Sequence, residues 1–123
     1  MGQCIIQNQA GGGTMEIFTI GANTQFYKGL ATYINSKGEF KSSFFGTKNR
    51  AEIITPWCKF SYNSRAITLL KDGVYSVTGG TVDVDHNGHI TKDIIKQKMV
   101  SGEQIKLNAT AYGGDGLTII KHI

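Results

Sequence analysis

The chain has 123 residues, of which 40% are hydrophobic and 18% are charged, and its formal net charge is +4. This length predicts one domain with a sizeable core, and this composition excludes an intrinsically disordered chain and a charged helical bundle. The positive charge favours anionic partners in general, but the basic residues are scattered along the chain. We therefore expect most of this charge to serve solubility.

Residues 1–14 differ in composition from the rest of the chain. The run Ala10–Thr14 contains three consecutive glycines, which is typical of a flexible joint. The sequence therefore predicts a flexible N-terminal arm (1–14) and a single β-sandwich domain (15–123). The N-terminus lacks the basic region and long apolar core of a secretory signal, and no apolar run reaches the roughly 18 residues of a membrane span. We expect a protein made in the cytoplasm, with no insertion into a membrane.

Sixteen glycines and a single proline separate short apolar runs along the chain. Most of these runs alternate apolar and polar residues, which is the pattern of a strand with one buried face. No segment keeps an apolar period of 3.6 residues over three turns, and Lys92–Met99 holds one helical turn at most. The strand candidates are Met15–Ile20, Gly29–Asn35, Glu39–Phe45, Ala51–Ile54, Trp57–Tyr62, Val74–Thr78, Thr81–His86, His89–Ile95, Gln104–Ala111 and Leu117–Ile123.

Turn residues between these segments predict how the strands connect. Asn35–Gly38 predicts a hairpin, and Asn87-Gly88 is the strongest two-residue hairpin signal, of the mirror-image type that matches strand twist. Asp72 and Gly73 suit a tight turn after an apolar run, because Asp can close its own backbone and Gly tolerates positive φ. Such spacing predicts an all-β fold, a jelly-roll-type β-sandwich of about 8–10 short antiparallel strands.

The two cysteines, Cys4 and Cys58, do not form a disulfide framework. Each lies within or beside an apolar run, and free cysteine commonly behaves as a small buried hydrophobe. We predict two buried thiols, with a Cys4–Cys58 bridge and a reactive thiol as the alternatives.

Residues 83–90 contain the candidate metal ligands. The segment resembles the start of a calcium loop, but the acidic residue needed at position twelve falls one place early, at Asp93. His86 and His89 flank the Asn-Gly turn close to Asp85, and two imidazoles and a carboxylate can hold zinc. A structural zinc site uses four ligands, so we favour a plain hairpin and assign no metal or cofactor, with Asp85, His86 and His89 as weak candidates.

Catalytic patterns are not visible in the sequence. The chain has no Gly-x-Ser-x-Gly motif, no cysteine close to a histidine and no phosphate-binding loop after its glycine run. We therefore predict a non-enzymatic protein.

Aromatic residues suggest two kinds of ligand contact. Phe40–Phe45 and Tyr33, beside Lys41 and Lys48, match a nucleic-acid stacking platform, although a core or an interface explains them better, and nucleic acid is not an expected partner. Trp57 and Tyr112 are weak candidates for stacking against a sugar.

The segment Arg65–Gly79 resembles the tumour-necrosis-factor/complement-head jelly-roll superfamily. There, an apolar strand, a short turn ending in Gly and an aromatic-bearing strand follow one another. Val100–Leu107 and the glycine-rich Tyr112–Gly116 are similar to later landmarks of that superfamily. The resemblance implies a compact homotrimer with apolar strand faces packed around a threefold axis, and it carries over no ligand residue.

The start of the chain, Met1–Gln7 followed by Gly11–Gly13, resembles the N-terminal arms of tailed-phage virion proteins. The two resemblances together imply a homotrimeric decoration, fibre-head or receptor-binding module on a bacteriophage or prophage particle. Its partners would be further copies of itself, other virion proteins through the arm, and a host cell-surface glycan. The alternative hypothesis is a monomeric carbohydrate-binding module that uses Trp57 and Tyr112.

Overall fold

The computed structural model describes residues 15–23, 28–45, 52–61, 64, 66–79, 83–107 and 116–122. These residues form two six-stranded sheets, A and B, in which every paired strand is antiparallel to its neighbour. The strands, in chain order, are β1 (Met15–Asn23), β2 (Lys28–Ile34), β3 (Phe40–Phe45), β4 (Glu52–Ile54), β5 (Cys58–Ser61), β6 (Ala66–Leu69), β7 (Gly73–Thr78), β8 (Val84–His86), β9 (His89–Thr91), β10 (Asp93–Met99), β11 (Gln104–Leu107) and β12 (Leu117–His122).

The order of the strands shows that each sheet combines pairing of consecutive strands with long-range pairing. Sheet A has the order β10-β7-β12-β1-β2-β3, and sheet B has the order β4-β5-β6-β11-β8-β9. The first described strand, β1, therefore lies in the interior of sheet A, with the last strand, β12, on one side and β2 on the other. The edge strands of sheet A are β3 and β10, and those of sheet B are β4 and β9.

The predicted all-β sandwich is confirmed. Both predicted hairpins are present: β2 pairs with β3 across Asn35–Gly38, and β8 pairs with β9 across Asn87-Gly88. Asn87 and Gly88 both have positive φ, of 54° and 88°, as a mirror-image turn requires. The Asn35 side chain closes the first hairpin by accepting hydrogen bonds from the backbone N–H groups of Lys37 and Glu39. The described residues include no helix that could span a membrane.

Two local predictions are corrected. The single strand expected at His89–Ile95 is two strands in different sheets: β9 ends at Thr91 in sheet B, and β10 begins at Asp93 in sheet A. Residues 93–99 form a strand with a bulge, in which Lys96 has φ +47°, and contain no helical turn. Gly73 does not use positive φ, and the Asp72 carboxylate accepts a hydrogen bond from the Ser101 N–H at 2.9 Å instead of closing its own turn.

The core lies between the two sheets and is formed by alternate residues of their strands. Phe18, Tyr75 and Ile119 are buried from sheet A, and Phe60 and Ile105 are buried from sheet B. Each such side chain contributes about 1.5–3 kcal/mol relative to exposure. Because side chains alternate along a strand, burial of one face also fixes which residues lie on the opposite face.

We expect Gly116→Ala to destabilise the fold by about 2–4 kcal/mol. Gly116 has φ +72°, and an added Cβ would lie 2.1 Å from the carbonyl oxygen of Ile20, so the start of β12 would move away from β1. Gly38→Ala is the matched control, because Gly38 also has positive φ (+84°) but faces open space, and we expect it to cost only about 1 kcal/mol. Urea unfolding of both variants measures the difference, and equal losses would contradict the close approach at Gly116.

Candidate interaction surfaces

The outer face of sheet A, opposite the core, carries a continuous row of apolar side chains. Residues paired directly across antiparallel strands share a face. Ile120 of β12 pairs with Ile17 of β1, Ile17 pairs with Ile34 of β2, and Ile34 pairs with Phe40 of β3. Four neighbouring strands therefore present one apolar row, and Ser76 of β7 extends it through its pairing with Ile120.

A row of hydroxyl side chains lies directly beside the apolar row. Thr78, Thr118, Thr19, Thr32 and Ser42 are successive partners across five strands. The hydroxyls of Thr32 and Ser42 are hydrogen-bonded at 2.9 Å. Hydroxyls that bond to one another need fewer bonds to water, so this row costs less to dehydrate than isolated polar groups would.

Two titratable residues occupy outward register positions of these five strands. Lys28, at the start of β2, is paired with Asn23, and His122 lies at the end of β12. Burial, with a smaller contribution from Lys96, lowers the pKa of His122, so the imidazole is neutral at neutral pH. Its Nε2 lies 2.8 Å from the Ser76 hydroxyl.

The two ends of the outer face differ in shape. At the β3 edge, Phe40 protrudes with 71% of its surface exposed. Toward the β10 edge, a recess of about 200 Å³ lies beside the bulge and is lined in part by Thr78, Ile95 and Ile120. Ile95 stands at the recess with 79% of its surface exposed. A protruding ring and a recess thus lie at opposite ends of one sheet face.

The predicted metal candidates are engaged in separate hydrogen bonds. The Asp85 carboxylate accepts from the Gly88 N–H at 2.7 Å and closes the turn. His86 Nε2 lies 2.6 Å from Glu103 Oε1, whereas His89 is exposed. No group of three or more His, Cys, Asp or Glu residues within the described part of the chain could hold a metal ion.

The predicted sugar-stacking residues are not found together on a described surface. Trp57 is only 1% exposed and packs between Tyr33 and Tyr75, with ring centroids 6.4 and 5.7 Å away. Tyr112 lies outside the described residues. Trp57 therefore belongs to the core and offers no exposed face to a sugar in this structure.

The predicted stacking platform is divided between the two faces of sheet A. Phe40 lies on the outer face, while Tyr33 and its partner Lys41 lie on the inner side, because successive residues of a strand alternate. Lys48 lies outside the described residues, as do the side chains of Phe44 and Phe45. The described members of this set therefore do not form one surface.

Cys58 is buried, as predicted, and burial raises the pKa of its thiol to about 12. A thiol that remains protonated at neutral pH is a poor nucleophile, so Cys58 is not a reactive site. Cys4 lies outside the described residues, and the predicted N-terminal arm (1–14) does so as well.

Sequence reasoning did not identify the outer face of sheet A. The available signal was the segment Met15–Ile20, in which both alternating sets are largely apolar. A strand with one solvated face would carry polar residues at every second position. Recognition of this face also required the alignment of β1 with β2, β3, β7 and β12 in one sheet. No local sequence pattern predicts that alignment.

Glu103 joins the turn at Val100–Glu103, which precedes β11, to the β8–β9 hairpin, and we expect this link to be sensitive to acid. The Val100 N–H and His86 lower the pKa of Glu103 below its ordinary value of 4.5, although burial opposes them. The folded state therefore binds the proton less tightly than the unfolded state does. The stabilisation from this group is complete well above pH 4.5 and is lost as the pH falls through the lower folded-state pKa.

Glu103→Gln should lower the free energy of unfolding at pH 7 by about 1 kcal/mol, and the difference from the parent protein should shrink toward pH 3. Glu52→Gln is the control, since Glu52 forms an exposed pair with Lys59 at 3.9 Å and should change stability little. Urea unfolding at both pH values tests this, and a Glu103→Gln deficit that is constant with pH would contradict it.

Comparison with known proteins adds no family to this description: no protein-family model, no curated protein and no solved structure matches the chain. Its two antiparallel sheets form a sandwich that is compatible with a jelly-roll-like fold. The functional argument therefore depends on the surfaces described above.

Proposed function

We propose that this protein is a non-enzymatic structural module that assembles as a homotrimer through the outer face of sheet A. The observation that carries the proposal is the composition of that face. Across β12, β1, β2 and β3, the two central rows of this face present isoleucine, phenylalanine, threonine and serine and contain no charged residue. The isoleucines are half-buried in the single subunit, and apolar patches that stay partly exposed mark interaction sites on proteins.

Dehydrating this face upon assembly has a low electrostatic cost. Burying an unpaired charge is expensive, and the central rows of the face contain none among the described residues. The Thr32–Ser42 hydrogen bond satisfies part of the polar row within one subunit. Burial of the apolar row then contributes favourably to the free energy of assembly, at about 25 cal/mol per Å² of apolar surface removed from water.

The difference between the two ends of the face favours a ring over a twofold dimer. A twofold interface places the same patch of each subunit against itself, whereas a head-to-tail interface joins two different patches and closes into a ring. Phe40 and the recess beside Ile95 are two such patches, and they lie about 24 Å apart across six strands. The number three comes from the resemblance of Arg65–Gly79 to the tumour-necrosis-factor/complement-head superfamily.

A position on a bacteriophage or prophage particle is the biological part of the proposal. It depends on the resemblance of Met1–Gln7 and the glycine joint to phage virion arms, and it assigns the module to decoration, a fibre head or receptor binding. The arm would attach the module to other virion proteins, and a host glycan is a further partner. The buried position of Trp57 gives the monomeric carbohydrate-binding alternative no support.

The assembly proposal predicts that a charge in the middle of the outer face disrupts the trimer. Thr32→Asp should convert a trimer into a monomer at micromolar concentration, because the carboxylate would be buried without a partner. Thr68→Asp is the matched control, since Thr68 has the same chemistry but lies on sheet B. Light scattering after size-exclusion chromatography reads the mass, and a monomeric parent protein would refute the proposal.

The ring arrangement makes a separate prediction for mixtures. Phe40→Glu removes the protruding phenyl side chain, and Ile95→Glu alters the recess, so each variant alone should be monomeric. Both side chains are largely exposed, so neither substitution should destabilise the fold. An equimolar mixture of the two variants should contain a one-to-one dimer. The Phe40 side chain of the Ile95→Glu variant can still bind the intact recess of the Phe40→Glu variant. Single variants that remain trimeric would contradict this contact, as would a mixture that contains only monomer.

A further inference from the structure

A groove of about 410 Å³ opens between the edge strands β3 of sheet A and β4 of sheet B. Its floor reaches the core residues Phe18 and Ala31, and Tyr33 and Ile53 form part of its walls. This volume lies within the range of about 300–1,000 Å³ that is typical of small-molecule sites. The groove adjoins the proposed assembly surface: the sheet A strands contribute inward residues such as Tyr33 and Lys41, and Phe40 of the outer face also lines it.

Two polar residues hold the groove open at the sheet A edge. Lys41 and Ser43 of β3 are paired with Tyr33 and Ala31 and share their inward-facing side. A sandwich normally places apolar side chains at such positions, and these would close the space between the sheets. The inner side of β3 is therefore polar at the rim, while the floor beneath it is apolar.

Two groups of opposite charge line the groove, and they differ in their partners. The Glu39 Oε1 accepts a hydrogen bond from the Asn35 side-chain amide at 2.9 Å. Lys41 forms no ion pair with any of the described residues. A free ammonium group above an apolar floor is complementary to a ligand with an anionic head and an apolar body.

We propose that this groove binds an amphipathic anion, namely an aliphatic monocarboxylate. Its hydrocarbon chain lies against Phe18, Tyr33 and Ile53, and its carboxylate pairs with the Lys41 ammonium group. An added peptide strand is the less suitable occupant, because an inward-pointing charge on an edge strand opposes strand addition. One subunit supplies every residue of the groove, and of these Phe40 is also part of the proposed assembly contact.

Trp57 provides an intrinsic reporter for this site. It is the only tryptophan of the chain, and its ring lies edge-on to Tyr33 in the groove wall, with centroids 6.4 Å apart. Its indole N–H is buried and has no hydrogen-bond partner among the described residues. A ligand that moves Tyr33 should therefore change the emission of Trp57.

The test is titration of the full-length protein with decanoate and with decylammonium, followed by Trp57 fluorescence and calorimetry. We expect saturable binding of decanoate and much weaker binding of decylammonium. Lys41→Ala should lower the affinity for decanoate about threefold, because the ion pair it removes is exposed to solvent. Lys41→Glu should make the groove bind decylammonium more tightly than decanoate. Lys37→Glu is the charge control, because Lys37 lies in the neighbouring turn but does not line the groove.

A second pair of variants tests the location. Ser43→Phe fills the groove and should abolish decanoate binding, whereas Ser42→Phe, on the opposite face of the same strand, should leave it unchanged even if assembly is altered. Absence of saturable decanoate binding would overturn the proposal. Equal binding of the two amphiphiles, or decanoate binding that survives Ser43→Phe, would overturn it as well.

Discussion

The antiparallel pairing of β1 with β12 is the constraint on which the other features depend. It joins residues 15–20 to residues 117–122 in the interior of sheet A, so the two ends of the described chain meet there. A shift of this register by one residue would exchange the two faces of β1, because side chains alternate along a strand. Phe18 would then leave the core, and Ile17 would leave the outer apolar row. Gly116 supports the register, since its backbone lies against Ile20 where a side chain would collide.

The same register accounts for two surfaces with different chemistry. Outward residues of β12, β1, β2 and β3 form the face proposed for assembly, and inward residues of β2 and β3 form one wall of the groove. Adjacent residues of β3 contribute to both, since Phe40 lies on the outer face and Lys41 lies at the groove rim. The two surfaces meet at Phe40, which also lines the groove, so assembly and ligand binding would share this one side chain.

Sheet B has a more local and polar organisation than sheet A. Glu103 and Asn87 connect the turn at Val100–Glu103 to the β8–β9 hairpin, and the Asn87 side-chain oxygen accepts a hydrogen bond from the Gln104 N–H at 2.8 Å. His86 is held by Glu103 rather than turned toward Asp85. His86 thus fastens the turn through Glu103, while His89 is exposed, so a metal-like spacing occurs here without the corresponding ligand cluster among the described residues.

The sequence by itself determined the all-β class and the Asn35–Gly38 and Asn87-Gly88 hairpins. These features depend on residues close together in the chain, where alternation and turn chemistry act directly. Only the tertiary structure decided that residues 89–99 divide between two sheets, that Trp57 is enclosed by two tyrosines, that four strands align into an apolar row, and that a groove opens between β3 and β4. Those features arise from pairing between distant segments, whose register is selected by the burial of the whole core and leaves no local pattern.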